Sequence, residues 1–337
     1  MEKGIKYVAL VHSDDIDGIG SAALLRMKYK IPLNRIFFAT YSDGSLDYVA
    51  RKISSIKGRI SLFVADLGVN EPLIKYYKQI INHVKKNGGS VAWLDHHPWS
   101  DYMIKEIATM CDIAVVGENI DNCGTQLVLK ATELDSSFAR KFTEIVHLSD
   151  FNLKTTNKEY SRLIKTYALS ISSFKLSKSA KARDEKLRHM VKVISSGKFD
   201  DAYIRKESDT FEKLNDERIN FMLKHLINFS DKMSVGFSSK VQNTNACDRI
   251  MKYSKCDCAV LINVDTGKGS IRRGVNAPET PNINPLAVAL GGGGHPKAAG
   301  FRLDPRKYYN FKSESSRRKA AEYIWNKAVE LDIYKQI

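Results

Sequence analysis

Cysteine is scarce in this 337-residue sequence, with five residues, an odd number, scattered between Cys111 and Cys258. That usage excludes a disulfide framework and suggests reduced thiols in the cytoplasm. Cys247, Cys256 and Cys258 fall near one another, but their spacing matches no zinc ribbon or knuckle. Long apolar runs are also missing: none approaches the ~20 residues that span a bilayer, so a helical membrane anchor is not expected. A signal-peptide core is not expected either, because the first apolar strand meets His12 at once. Internal repeats and low-complexity tracts are absent. Acidic residues are the minority, 38 against 53 Lys and Arg, for a net charge of +15. The excess is localised, since residues 151–198 hold twelve Lys or Arg against three Asp or Glu. Within them Leu187, Met190, Val191 and Ile194 recur at helical spacing, so this stretch reads as a basic helical linker that would concentrate a polyanionic substrate.

What is present is a set of carboxylates and imidazoles at the ends of apolar runs. Ser90–Leu94 reads as a buried strand that delivers Asp95-His96-His97-Pro98 at its carboxyl end. Ile5–Val11 runs into His12-Ser13-Asp14-Asp15-Ile16-Asp17-Gly18-Ile19-Gly20. In extended backbone Asp15 and Asp17 point the same way, with Gly18 and Gly20 turning the chain before a helix that begins near Ser21. Arg59–Ala65 ends in Asp66, and the helical stretch Ser137–Leu148 ends in Ser149-Asp150. Open α/β sheets collect their ligand sites at the carboxyl edge. Four carboxylates and an imidazole gathered there would repel one another unless cations neutralised them. Hard oxygen donors with imidazole suit Mn²⁺ or Mg²⁺, and the number of ligands is enough for two ions sharing one carboxylate.

Far downstream stand Gly269-Ser270-Ile271-Arg272-Arg273 and Leu290-Gly291-Gly292-Gly293-Gly294-His295-Pro296-Lys297-Ala298-Ala299-Gly300-Phe301. Glycine amides can approach an anion closely, and arginine grips phosphate with a planar fork. Alternatively, a short helix over Pro285–Leu290 would simply end at Gly291. The order of Asp-x-Asp-Gly, strand-end Asp, Asp-His-His and later Asp resembles the DHH phosphoesterase superfamily. The glycine-rich segment is similar to the DHHA1 domain that accompanies it in RecJ-type nucleases and nanoRNase/pAp phosphatases.

The resemblance implies an α/β protein in three parts. A parallel-sheet DHH domain over 1–155 binds metal, a basic helical linker covers 156–230, and a smaller mixed α/β DHHA1 domain over 231–337 binds substrate, with the active site in the cleft between domains. It further implies that Asp15 and Asp17 serve one metal each, that Asp66 bridges, and that His96 and Asp150 hold the second ion. His97 would face the substrate phosphate and Asp95 would orient the site. Arg272, His295 and the amides of Gly291, Gly292, Gly293 and Gly294 would hold the other end of the substrate. One departure concerns the first metal. Relatives carry a histidine four or six residues before the second aspartate, here Ser13 or Val11, so His12 reaches the ion through a bulge, or Asp14 takes its place. The cofactor is a pair of divalent ions, Mn²⁺ first, with Mg²⁺ or Co²⁺ as alternatives. The expected activity is hydrolysis of short oligonucleotides, small nucleotides such as 3′-phosphoadenosine 5′-phosphate, or linear dinucleotides. Single-strand exonuclease activity of the RecJ type ranks behind it, because the length leaves no room for the extra nucleic-acid-binding domain of larger RecJ proteins. A non-catalytic nucleic-acid-binding scaffold is the second rival.

Overall fold

A computed structural model describes residues 4–117, 121–274 and 282–333. The chain divides into two compact units, 1–209 and 210–337. In the first, β1 (Lys6–His12), α1 (Ile16–Tyr29), β2 (Ile36–Ala39), α2 (Asp43–Ser54), β3 (Ile60–Ala65), α3 (Ile74–Lys86), β4 (Ser90–Asp95), α4 (Asp101–Glu106) and β5 (Ile113–Val116) alternate in sequence. The strands form one parallel sheet in the order β2-β1-β3-β4-β5. Side chains alternate across a strand, and β1 shows what that does here. Val8 and Leu10 pack into a core with α2 and α3, while Ala9 and Val11 pack into a second core with α1. Both faces are therefore covered, which is why the central strands read as unbroken apolar runs.

The second core continues through α5 (Gly124–Thr132), α6 (Ser137–Asp150), α7 (Lys158–Lys175) and α8 (Ala180–Ser195). Leu163, Tyr167, Leu187, Met190 and Val191 are buried among α1 residues there. The basic stretch read as a linker is thus core-forming scaffold of the first unit as far as Asp209, and the boundary falls inside α9 (Ala202–Leu223). Its cations are also engaged locally. Arg162 pairs with Asp200 at 2.7 Å and Lys186 with Glu207 at 2.9 Å, while Arg188 donates to the Leu33 carbonyl at 3.0 Å.

The second unit contains β6 (Ile227–Phe229), β7 (Met233–Ser238), α10 (Asn243–Ser254), β8 (Cys258–Asn263), β9 (Lys268–Arg273), α11 (Asn284–Ala289), β10 (Gly293–His295), β11 (Ala298–Arg302) and α12 (Glu314–Glu330). Its mixed sheet runs β10-β11-β9-β8-β7-β6, with only β7 and β8 parallel. This is the smaller mixed α/β domain that the sequence suggested. Among the described residues, no helix is long and apolar enough to cross a membrane.

Candidate metal centre

Register brings the site together. Val11 lies opposite Ala65, and Ala65 opposite Leu94, so β1, β3 and β4 end side by side. His12, Asp66 and His96 then project from neighbouring strand ends. Asp66 takes a left-handed backbone with φ of 51°, a conformation that aspartate tolerates better than most residues. Its oxygens diverge, with Oδ1 3.4 Å from His96 Nε2 and Oδ2 3.8 Å from His12 Nδ1.

The Asp15–Asp17 segment differs from the sequence reading. α1 begins at Ile16 rather than near Ser21, and Asp15 caps it, accepting from the amides of Asp17 at 3.2 Å and Gly18 at 3.3 Å. Gly18 is a contact glycine inside the helix, since a Cβ there would lie 2.2 Å from the His12 carbonyl oxygen. Local helix propensity disfavours glycine, but here the tertiary approach of helix to strand requires it. No bulge is needed at His12 either, because β1 stays in register with β2 through His12 and Ala39. The capping turn folds Asp15 back, leaving Asp15 Oδ2 3.0 Å from His12 Nδ1. Asp14 points elsewhere, 2.7 Å from Arg183 Nη2 and 3.5 Å from Lys175 Nζ.

Asp17 is buried and held by a segment that the sequence did not mark. The amides of Gly124 and Thr125, at the start of α5, donate to its two oxygens at 2.6 and 2.7 Å. Asp150, which ends α6 rather than following it, lies 3.6 Å from His96 Nε2, and Asp17 lies 3.8 Å from that same atom. Among the described residues three groups of candidate ligands result: His12 with Asp15 and Asp66, Asp17 with His96 and Asp150, and Asp66 with His96 and His97. His97 also comes within reach of Asp66, at 4.0 Å.

A fit to cations rests on polar atoms with no other use. His12 Nδ1, Asp66 Oδ2 and His96 Nε2 are buried without a hydrogen-bond partner, a costly state for such groups. His12 Nδ1 is close to Asp15 but not aligned for a hydrogen bond. Burial and the charges of Asp17 and Asp15 raise Asp66 well above the usual carboxylate range. Burial and Asp17 push Asp150 up to about 7. Burial alone would lower His12, but the facing Asp15 and Asp66 raise it well above the ordinary imidazole value.

These directions give a stability prediction. A group whose folded pKa is raised contributes stability fully present below its unfolded pKa and lost as pH rises through the folded value. For Asp150 the loss runs from about 4 to about 7, and Asp66 and His12 carry the same sign. Metal-free protein should therefore melt lower at pH 8 than at pH 6, by about 3 °C or more, and Mn²⁺ should erase the difference. Calorimetric scans in chelator and in Mn²⁺ test this, and a flat metal-free profile would refute it.

Around the ligands stands a supporting layer. Asp95 accepts from His97 Nδ1 and from the Trp99 indole, both at 2.7 Å. Burial alone would lower His97, but the hydrogen bond and charge of Asp95 raise it above the usual imidazole value. Tyr41 packs its ring 5.0 Å from that of His12 and 6.4 Å from that of His97, and its hydroxyl accepts the Gly68 amide at 3.1 Å. Tyr41, Trp99, Gly124 and Arg183 were all missed in the sequence. Only Trp99, two residues after the triplet, stood beside a visible motif.

In the second unit, His295, Ala298 and Arg272 lie in one row across β10, β11 and β9. Arg272 Nε is buried without a hydrogen-bond partner, and the side chain's charge opposes the upward push of burial on Asp248. His295 is exposed. The glycine run is partly committed to structure, because the Gly291 and Gly292 amides donate to the Val288 and Ala287 carbonyls at 2.9 and 2.8 Å and close α11. Those two amides are not available to an anion, and Gly293 and Gly294 enter β10.

No protein-family model and no curated protein sequence matches the chain. Solved structures do. A pGpG-specific phosphodiesterase, PggH from Vibrio cholerae, is similar at a TM-score of 0.57 and 11% identity, over 96% of this chain and 99% of that one. An exopolyphosphatase-related protein from Bacteroides fragilis is similar at 0.50 and 15%, over 95% and 93%. RecJ from Thermus thermophilus, in complex with Mn²⁺, is similar at 0.50 and 15%, over 95% of this chain but 52% of its own. With its Asp-His-His triplet at the carboxyl edge of the parallel sheet and a mixed sheet in the second unit, the chain shares the fold of these solved structures.

Proposed function

We propose that this chain is a metal-dependent phosphoesterase acting on short oligonucleotides or small nucleotides. The observation that carries the reading is the set of overlapping three-ligand groups meeting at Asp66 and His96, whose buried Oδ2 and Nε2 have no hydrogen-bond partner. His12, Asp15 and Asp66 would hold one ion, and Asp17, His96, Asp150 and the other Asp66 oxygen the second. A donor set of carboxylates and imidazoles suits Mn²⁺ better than a soft ion. Bound there, a pair of divalent ions supplies Lewis-acid charge toward phosphoryl oxygens and lowers the pKa of coordinated water.

The chain's own groups do the rest. Asp95 accepts from His97 Nδ1 and raises its pKa, which favours the imidazolium whose Nε2–H can donate to a non-bridging phosphoryl oxygen. The Trp99 bond keeps Asp95 from turning away. Tyr41 covers the His12 side and excludes water there. Burial pushes the Cys123 thiol near Asp17 upward, so it stays protonated and is a poor nucleophile. In this reading coordinated water would be the attacking group, with no covalent enzyme intermediate. Arg272 and His295 are candidate substrate-binding residues of the second unit.

One comparison supports a small substrate over a long strand: the chain is similar over nearly its full length to a structure described as a pGpG-specific phosphodiesterase. The decisive measurement offers Mn²⁺-loaded protein labelled RNA and DNA from dinucleotide to twenty-mer, with 3′-phosphoadenosine 5′-phosphate and pyrophosphate alongside. Turnover should be fastest on the shortest nucleotides, by about tenfold or more in kcat/KM over the twenty-mer. Processive digestion of twenty-mers with dinucleotides ignored would install the RecJ-type activity instead, and no turnover at all would favour a binding scaffold.

A further inference from the structure

We infer that Arg183, on α8, is a positioning residue of the first metal pocket, an inference that rests on the metal reading above. Its Nη2 lies 2.9 Å from the Ser13 carbonyl oxygen, 2.9 Å from Ser13 Oγ and 2.7 Å from Asp14 Oδ1. Ser13 and Asp14 are the two residues between His12 and Asp15, both members of one three-ligand group. One guanidinium therefore holds the peptide and the side chain that connect two ligands. The anchor is rigid, because Leu187, Met190, Val191 and Ile194, which follow Arg183 on the same helix, are buried against α1.

The geometry gives Arg183 two tasks. The first is to fix the loop, so that His12 and Asp15 keep their 3.0 Å approach. The second is to keep Asp14 away from the pocket. Asp14 Oδ2 is 3.9 Å from His12 Nε2, the ring nitrogen opposite the pocket-facing Nδ1, and a carboxylate freed from Arg183 could turn into the pocket as a competing ligand. Arg183, with Lys175 at 3.5 Å, holds that carboxylate on the helix side. All three contacts come from Nη2 alone, so lysine at 183 would keep the charge and one donor nitrogen but present it at a shorter reach. Residues that orient metal ligands in this way typically govern affinity by about ten- to a hundredfold.

The test reads metal binding directly, without substrate. Mn²⁺ titrations of the full chain, followed by paramagnetic resonance and by calorimetry, are compared for wild type, Arg183→Gln, Arg183→Lys, and Arg183→Gln combined with Asp14→Asn. Arg183→Gln should weaken one of two sites by about ten- to a hundredfold and leave the other nearly unchanged. Arg183→Lys should fall between. The double variant should regain part of the loss, because the loose carboxylate is gone while the anchor is still missing. A purely structural role would weaken both sites together, would track the melting temperature in chelator, and would show no recovery on removing Asp14; that pattern overturns the inference. Unchanged binding in Arg183→Gln overturns it too, while the two-metal reading stands. Wild-type protein that binds no Mn²⁺ would bring down both. If Arg183→Gln does not fold, Arg183→Lys decides by the same criteria.

Discussion

Asp66→Asn should abolish turnover, lowering kcat/KM by at least about a thousandfold, and should release both ions rather than one. Asparagine is the informative replacement because position 66 has φ of 51°, which asparagine also tolerates and alanine does not. The backbone is then preserved, and the change is confined to one charge and one oxygen. The substituted amide would turn a donor toward a cation on one side or the other, since the two oxygens face His12 and His96 separately. The same variant should be more stable than wild type in chelator at pH 8, because it removes a buried carboxylate whose ionisation the fold opposes. Loss of both ions together is the signature of a shared ligand, and the opposite movement of activity and stability marks it as a buried carboxylate. Retained metal stoichiometry, or a loss of stability in step with activity, would remove Asp66 from that role.

The second large effect is expected where no chemistry resides. Gly124→Ala should reduce kcat/KM by about a hundredfold and weaken metal binding, although alanine is the better helix former by roughly 1 kcal/mol. A Cβ at 124 would meet Asp66 Cβ at 2.7 Å and Asp17 Oδ2 at 3.0 Å. Either α5 must withdraw its amides from Asp17, or Asp66 must move off its position between the histidines. Gly44→Ala is the contrast, since a Cβ there meets nothing within 4 Å, and it should leave activity unchanged. Parallel kinetics and metal titration of the two variants settle the matter. Equal behaviour would show that the close approach at Gly124 carries no weight.

How much of this was legible depends on whether the information was local. Asp66, His96 and Asp150 stood out because each is a carboxylate or imidazole at the end of an apolar segment, and a parallel sheet gathers its strand ends, those of Asp66 and His96 among them, on one edge. The helix start was misplaced because Gly18 and Gly20 look like turn residues by propensity, whereas they sit inside α1 at points of tight packing. The partners of Asp17 lie 107 and 108 residues away, and nothing near Gly124 or Thr125 in the sequence announces them. The basic stretch misled for a similar reason. Its net charge was plain, but pairing of Arg162 with Asp200, Lys186 with Glu207 and Arg183 with Asp14 shows only in three dimensions. The glycine run offered two readings, and at Gly291 and Gly292 the helix ending is the one observed.

The parallel order of β1, β3 and β4 also governs when the centre can exist. Each strand reaches its neighbour only after a long crossover has closed, and such non-local pairing is the slow part of building a sheet. His12, Asp66 and His96 have no common neighbourhood until those crossovers are complete, so an ion finds no binding place on the unfolded chain beyond scattered single ligands. Its binding free energy then accrues to the finished unit alone. In kinetic terms, a bound ion would act as a latch on the native state: the ascent to the folding barrier belongs to the apolar strands, and the ion would chiefly lengthen the lifetime of what they have already built.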